Sequence, residues 1–383
     1  MTHCYQVNLQ TGWGGGEVYT AFFARALLRL GIPTTLYAHP GNPHWTSRLP
    51  AQCAVIPVKG MGDIAGRLAG PASWLLFHTP VKQTELAPLR RAGHFLSAIA
   101  HMPLYGRDPR TLRAYDLVYA VSAHVIDSLH AAGIARVHAE ALWGVADLEG
   151  RGGAADAPLY AASPYDWDRR KGRDRLLSWI YPLYAALRPT RRYVRAPGIA
   201  LGLVSRLTPI KQFPLLFRQI APVLARHPEF RLELFGAGGY ASVRDLRRAL
   251  APIHERVRFW GQQRDVGAAY RKLDYLLAGL PEKEALGLNI LEAQACGTPV
   301  LAVRARPFTE TIADSVTGLF YDDPRQDAGA SFDKLLQRLA AQPFHISSDR
   351  ARPHLEQFSE AAFTQRVARL AEITARAIGA RAG

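Results

Sequence analysis

Short apolar runs rich in β-formers alternate with stretches of helical periodicity along most of the chain. TTLYA at 34–38, SWLLFH at 73–78, HFLSAIA at 94–100 and LVYAVS at 117–122 all have strand length. After position 198 the rhythm restarts with GIALGLVS, a helix from about Pro214 to Arg226, then FRLELFGAG, RVRFWG and LDYLLAG. Strand–helix alternation of this kind predicts parallel sheets of βαβ units. Two such series, parted by an Arg/Pro-rich stretch, predict an α/β chain of two Rossmann-like, doubly wound domains. The first spans 1–198 with a basic, aromatic insertion at 151–198, and the second spans 199–357. The tail, 358–383, reads as a helix with Phe363, Val367, Leu370 and Ile373 at three- and four-residue steps.

Folds of this kind gather ligands at the carboxyl ends of their strands, where loops lead into helix N-termini. With two domains, the expected place is the cleft between them. Composition narrows the class of ligand. Of 383 residues, 48% are hydrophobic and 21% charged, as in a globular, not a disordered, chain. The start, MTHCYQVNLQTGWGGGE, lacks the basic flank and apolar run of a signal peptide, and no apolar stretch reaches the roughly 18 residues of a membrane span. Cys4, Cys53 and Cys296 are widely spaced and fit reduced thiols, so a cytoplasmic location is expected. The 47 Lys/Arg against 32 Asp/Glu leave a net charge of +15, which suits nucleic acid, an anionic membrane or phosphorylated small molecules. Residues 165–195 carry nine Lys/Arg and three Asp with aromatics between them. This segment reads either as a solvated basic surface or as an interfacial patch on anionic lipid.

Three strand-to-helix turns carry residues suited to a phosphorylated ligand. Gly14, Gly15 and Gly16 precede a helix with an apolar stripe of Phe22, Phe23, Ala26, Leu27 and Leu30. Glycines there let backbone N–H groups approach a phosphate, although the third glycine of G-x-G-x-x-G is absent and an ordinary tight turn would look the same. In LVSRLTPIKQF, Arg206 and Lys211 lie between a strand and a helix, where a diphosphate would need compensating cations. In EALGLNILEAQACGTPV, Glu284 and Glu292 stand eight residues apart. On one continuous helix they would be separated by about 80° and roughly 12 Å, a poor arrangement for joint work. A helix starting near Gly287 or Leu288 instead leaves Glu284 on the loop and Glu292 on the second turn. The amides of Leu288 and Asn289 then become anion donors, and Glu292 can accept both hydroxyls of a ribose. Two exposed acids on a surface helix are the bland alternative.

The block EALGLNILEAQACGTPVLAV resembles the E-x7-E donor motif of retaining glycosyltransferases with the two-domain GT-B fold, family 4 above all. GGGE followed by RLGIPTTLYA is similar to that family's glycine loop, IAHMP to its active-site histidine segment, and VSRLTPIKQFPLL to its Gly-Arg-Leu-x-x-x-Lys element. YDLVYAVSAHVIDSLHAAG, LWGVAD, TETIADSVTGLFYDD with Glu310, and FSEAAF have counterparts in the same order. The resemblance implies a C-terminal helix returning to the first domain, and transfer from a UDP- or GDP-linked sugar with retention at the anomeric carbon. It implies no cofactor and no metal. Gly15 and Gly16 would approach the donor phosphates, Arg206 and Lys211 the leaving diphosphate, and Glu292 the ribose. Glu284 with the amides of Gly287, Leu288 and Asn289 would bind the donor sugar, and His101 would contact the transferred sugar. The implied acceptor is a glycan, a lipid-linked species or a small molecule, in cell-envelope polysaccharide or glycolipid synthesis. The excess charge at 165–195, not the resemblance, adds the expectation that this cytoplasmic chain sits peripherally on the inner face of a membrane.

The chain departs from the pattern at Leu286, where the family has an aromatic, and at Trp143, where its Asn-Gly-Val-Asp turn has asparagine. His78, after a strand, is placed much as His101 is. Two other classes stay open: a GT-B chain that binds sugar nucleotides without catalysis, and a nucleic-acid binder. The second lacks a recognised module, and no nucleic-acid partner is expected.

Overall fold

A computed structural model describes residues 3–12, 14–68, 70–146, 158–167, 172–186 and 191–382. It divides into two compact units, residues 1–146 with 356–383, and residues 147–355. The first holds strands β1 (Cys4–Asn8), β2 (Thr34–Ala38), β3 (Ala54–Pro57), β4 (Trp74–Phe77), β5 (Phe95–Ala100) and β6 (Leu117–Ala120). They form a parallel sheet in the order β3-β2-β1-β4-β5-β6. The second holds β7 (Ile199–Val204), β8 (Phe230–Phe235), β9 (Val257–Gly261), β10 (Tyr275–Leu277), β11 (Val300–Val303) and β12 (Gly318–Tyr321), ordered β12-β11-β10-β7-β8-β9 and again parallel. Parallel strands covered on both faces need apolar residues at every position, which is why runs such as WLLF and FLSAIA are buried throughout.

In each sheet the chain starts in the middle and grows first one way, then the other. The reversal falls between β1 and β4 in the first sheet and between β7 and β10 in the second. The loops leaving those two strands part to opposite faces of the sheet and open a crevice at its carboxyl edge.

Helices close the layers by burying one stripe each. Phe213–Ala225 places Phe213, Leu216, Phe217, Ile220 and Leu224 against the second sheet, each large side chain contributing about 1.5–3 kcal/mol of apolar burial. Gln212 enters that helix with φ 54°, and Pro214 sits in its first turn, where a missing N–H costs nothing. The helix Glu360–Ala382 packs on the first unit. Phe363 meets Tyr19, Phe22 and Phe23 edge-on at 6.3, 5.7 and 5.3 Å, and Glu360 pairs with Arg25 at 2.8 Å and with Arg29. Its inner stripe runs Phe363, Val367, Leu370, Thr374 and Ile378. Ile373, expected on that stripe, is exposed, because the 3.6-residue period carries the buried face to Thr374 instead.

The insertion belongs elsewhere than expected. Its described residues, placed by sequence in the first domain, lie in the second unit, whose limits are 147 and 355 in place of 199 and 357. Apolar burial explains this: Leu159 and Tyr193 share a hydrophobic cluster with Phe235 and Trp260, and the Ala162 amide donates to the Trp260 carbonyl at 2.8 Å. Arg169, Arg170 and Lys171 of the basic patch lie outside the described residues.

The loop after β8 approaches the loop after β7 closely. Gly236 has φ +143°, and a Cβ there would stand 1.9 Å from the Ser205 carbonyl oxygen. Gly236→Ala is therefore expected to cost at least about 2 kcal/mol through strain and collision. The urea-unfolding midpoint should fall accordingly. Gly62→Ala, at a helical position with open space, should leave it unchanged or slightly higher.

Candidate functional site

Two strand ends in the second unit deliver their loops to one place. The loop after β7 carries Ser205, Arg206 and Lys211, and the loop after β10 runs from Ala278 to Gly287. They touch where Gly279 lies: a Cβ at that position would be 3.3 Å from the Lys211 carbonyl and 3.2 Å from the Phe213 ring. Lys211 Nζ pairs with Glu284 Oε2 at 2.6 Å, both side chains largely shielded. Such a partly shielded pair is worth on the order of 1 kcal/mol or less. A small hollow of about 10 Å³ opens here, with Lys211, Lys283, Glu284 and Asn289 among its lining residues.

The helix Leu288–Ala295 starts in the same hollow. Gly287 precedes it in the left-handed region, φ +86°, where a Cβ would meet the Ile290 side chain at 2.8 Å. That turn ends the loop and separates Glu284 from Glu292, as their spacing suggested. The Asn289 amide donates to the Val204 carbonyl at 3.1 Å, pinning the helix start to the end of β7. The first N–H groups of a helix have no intrahelical acceptor, so the Leu288 and Asn289 amides lack one, and Asn289 lines the hollow together with Lys211. Leu286, the departure from the aromatic pattern, is buried behind it.

Not every expected residue converges on that hollow. Glu292 accepts a hydrogen bond from the Tyr270 hydroxyl at 3.0 Å and is absent from the hollow's lining, as are Arg206, Gly287 and Leu288. Arg206 is exposed, and no carboxylate among the described residues pairs with it. Tyr270 and Lys283 escaped the sequence reading. Tyr270 sits 22 residues from its partner on another helix, and no spacing rule links them. Lys283 is a lone cation beside Glu284, which looks like any surface lysine.

The first unit has its own polar surface at the β1/β4 reversal. Gly14 caps the helix Gly15–Arg29 in an extended conformation, and its carbonyl accepts the Val18 amide at 3.1 Å. A Cβ on Gly16 would lie 3.5 Å from the His101 ring, so the glycine lets helix and histidine approach. His101 stacks on His78 with ring centroids 5.6 Å apart and meets Tyr19 edge-on at 5.4 Å. His78 Nε2 is 2.9 Å from Gln6 Oε1, and Gln6 donates in turn to Thr34. Part of His101 is open to solvent, yet neither ring nitrogen is, and neither has a hydrogen-bond partner among the described residues. Burial pushes the His101 pKa down to about 4 and holds His78 well below the usual histidine range, with the charge of His101 adding to the effect on His78. Both rings are neutral at pH 7. Trp143, in place of the expected asparagine, packs on Phe358 at 5.5 Å beneath the Arg366 guanidinium.

Comparison with known proteins bears on the second unit most directly. Residues 198–341 match the family model of glycosyl transferases group 1. The D-inositol 3-phosphate glycosyltransferase of Saccharomonospora viridis is 34% identical over 180 residues, 43% of this chain and 41% of that one. The enzyme of the same name from Kribbella flavida is 37% identical over 139 residues, 33% of this chain and 32% of that one. The matches thus span between about a third and two fifths of these relatives' length. Among solved structures, Anabaena HepE in complex with UDP and glucose superposes with a TM-score of 0.69 at 18% identity, covering 97% of this chain and 100% of that one. The sucrose-phosphate synthase of Thermosynechococcus elongatus does so with 0.69 at 16% identity, covering 98% and 100%. The fold is GT-B.

Burial of His101 gives a pH signature. An unfolded histidine titrates near 6.5 and the folded His101 near 4. Between those values the unfolded chain binds a proton that the folded chain does not, so stability rises with pH across the window and is lost as pH falls through it. Taking the first unit from pH 7 to pH 5 should cost wild type about 1–2 kcal/mol more than it costs His101→Asn. Urea titrations at the two pH values measure the difference, and equal losses would refute the assignment.

Proposed function

We propose that this GT-B chain, whose residues 198–341 carry the glycosyl transferases group 1 match, is a retaining glycosyltransferase that uses a nucleotide-sugar donor and no bound metal. The observation that carries the reading is the meeting of Lys211, Glu284 and the start of the helix Leu288–Ala295 at the strand reversal of the second sheet. Lys211, Lys283 and the start of the helix on one spot suit a diphosphate, and Glu284 beside them suits hydroxyls.

In the transfer, the bond between the sugar's anomeric carbon and the β-phosphate oxygen breaks, and its electron pair stays on the diphosphate. A new bond forms to an acceptor hydroxyl, whose proton leaves with the departing phosphate. Lys211, Arg206 and the amides of Leu288 and Asn289 stabilise the negative charge that grows on that phosphate, the step where preorganised donors lower a barrier most. Glu292 takes the ribose hydroxyls in exchange for the Tyr270 hydroxyl it holds now. Glu284, held by Lys211, is aimed at hydroxyls of the sugar. The glycine loop of Gly14, Gly15 and Gly16 serves the phosphates, and His101, neutral through burial, offers a ring nitrogen to the transferred sugar.

The donor is UDP- or GDP-linked; HepE was crystallised with UDP, UDP-glucose and glucose. The acceptor is a glycan, a lipid-linked species or a small polyol of the kind named in the inositol-phosphate relatives, in the synthesis of cell-envelope polysaccharide or glycolipid. The reading includes peripheral attachment to an anionic membrane through residues 165–195. Among the described residues no helix is long and apolar enough to cross a membrane.

A thermal-shift screen of UDP, GDP, ADP and their sugars identifies the donor, since a ligand bound at 100 times its Kd stabilises the fold by about 2.7 kcal/mol. With the matching sugar nucleotide and acceptor extract, wild type releases nucleoside diphosphate. Lys211→Ala should lower kcat/KM at least about a hundredfold, the scale of losing a transition-state charge contact. Glu292→Gln should act mainly on donor KM. Stabilisation by nucleotide without release of diphosphate would leave a binding protein and end the enzymatic reading.

A further inference from the structure

We propose that one face of the helix Gly172–Ala186 docks the protein on an anionic lipid surface, with Leu176, Trp179 and Ile180 entering the headgroup layer. This deepens the membrane attachment proposed above by naming the contact face, and it does not depend on glycosyl transfer.

At 100° per residue these three side chains fall within an arc of about 100°. Leu176 is 60% exposed, Trp179 84% and Ile180 50%, an unusual concentration for side chains of that size. The opposite face is anchored. Asp174 is buried, and Tyr181 meets Tyr165 at 5.9 Å and Trp167 at 5.6 Å, while Tyr165 stacks on Tyr240 at 5.9 Å. That aromatic cluster fixes the roll of the helix, so the apolar arc cannot turn inward.

Charge selects the occupant. Residues 165–195 hold nine Lys/Arg against three Asp, and one of the three, Asp174, is buried. Arg175 is exposed at the edge of the arc, beside Trp179. A helix with tryptophan and aliphatics on one side and Arg175 at the edge of that side, within a segment of basic sequence, suits an interface whose apolar layer lies under anionic headgroups. A second copy of the chain fits poorly. The three side chains present roughly 400 Å², about half of what one partner gives to a standard protein interface, and two such basic segments would repel.

The test uses the whole protein with vesicles of phosphatidylcholine alone, or with about a third phosphatidylglycerol, read by flotation. Wild type should float with the anionic vesicles, stay behind with the neutral ones, and be released by 0.5 M NaCl. The triple variant Leu176→Ser/Trp179→Ser/Ile180→Ser should bind anionic vesicles at least tenfold more weakly, with an unchanged melting curve and unchanged release of nucleoside diphosphate from the sugar nucleotide when the acceptor is soluble. Equal binding by the variant would overturn this face while leaving membrane attachment standing. Absence of wild-type binding would overturn both, and so would a concentration-dependent dimer that the triple variant abolishes without vesicle binding. Loss of turnover in wild type would sink the enzymatic reading alone.

Discussion

Everything proposed for the second unit depends on the strand reversal between β7 and β10. Because the chain grows outward from β7 in one direction and then returns to its other side, the loops after these neighbouring strands emerge together at the carboxyl edge. One loop brings Lys211 and the other Glu284, and their 2.6 Å contact joins segments 73 residues apart. The left-handed turn at Gly287 then aims the helix Leu288–Ala295 at that contact, and the bond from Asn289 to the end of β7 keeps it there. Remove the reversal and the cation, the acid and the orphan amides become three unrelated surface features. The first sheet repeats the principle: its reversal sets the glycine loop after β1 near His78 after β4, with His101 from the neighbouring β5 stacked on it.

Burial gives the two sites different electrostatic characters. Lys211 and Glu284 face each other at 2.6 Å, so a diphosphate entering there would compete with Glu284 for the Lys211 nitrogen. The histidines solve the opposite problem. Enclosed by Tyr19, Phe23 and each other, and backed by Gly16, they remain neutral, with both His101 ring nitrogens shielded from solvent. A neutral ring suits contact with sugar hydroxyls better than with phosphate.

The sequence made much of this legible because its signals are local. Runs such as TTLYA are strands to the residue, and the Gly287 break between Glu284 and Glu292 follows from helical geometry alone. What stayed hidden depends on contacts between distant segments. The Tyr270 hydroxyl on Glu292 and the stacking of His78 on His101 have no spacing signature. Chain order puts the insertion before β7 and so with the first domain, whereas Leu159 and Tyr193 join the apolar cluster around Trp260 in the second unit. A three-residue step from Leu370 points to Ile373, but a four-residue step completes the turn more closely and buries Thr374 instead.

The central claim is that the carboxyl edge of the second sheet holds a nucleoside diphosphate. A crystal structure of the protein soaked with UDP or GDP tests it most directly. The account predicts density for the diphosphate within hydrogen-bond reach of Lys211 and the Leu288 and Asn289 amides, with the ribose hydroxyls on Glu292 in place of the Tyr270 hydroxyl. A nucleotide bound in full occupancy elsewhere, with the Lys211–Glu284 and Tyr270–Glu292 contacts undisturbed, would contradict it.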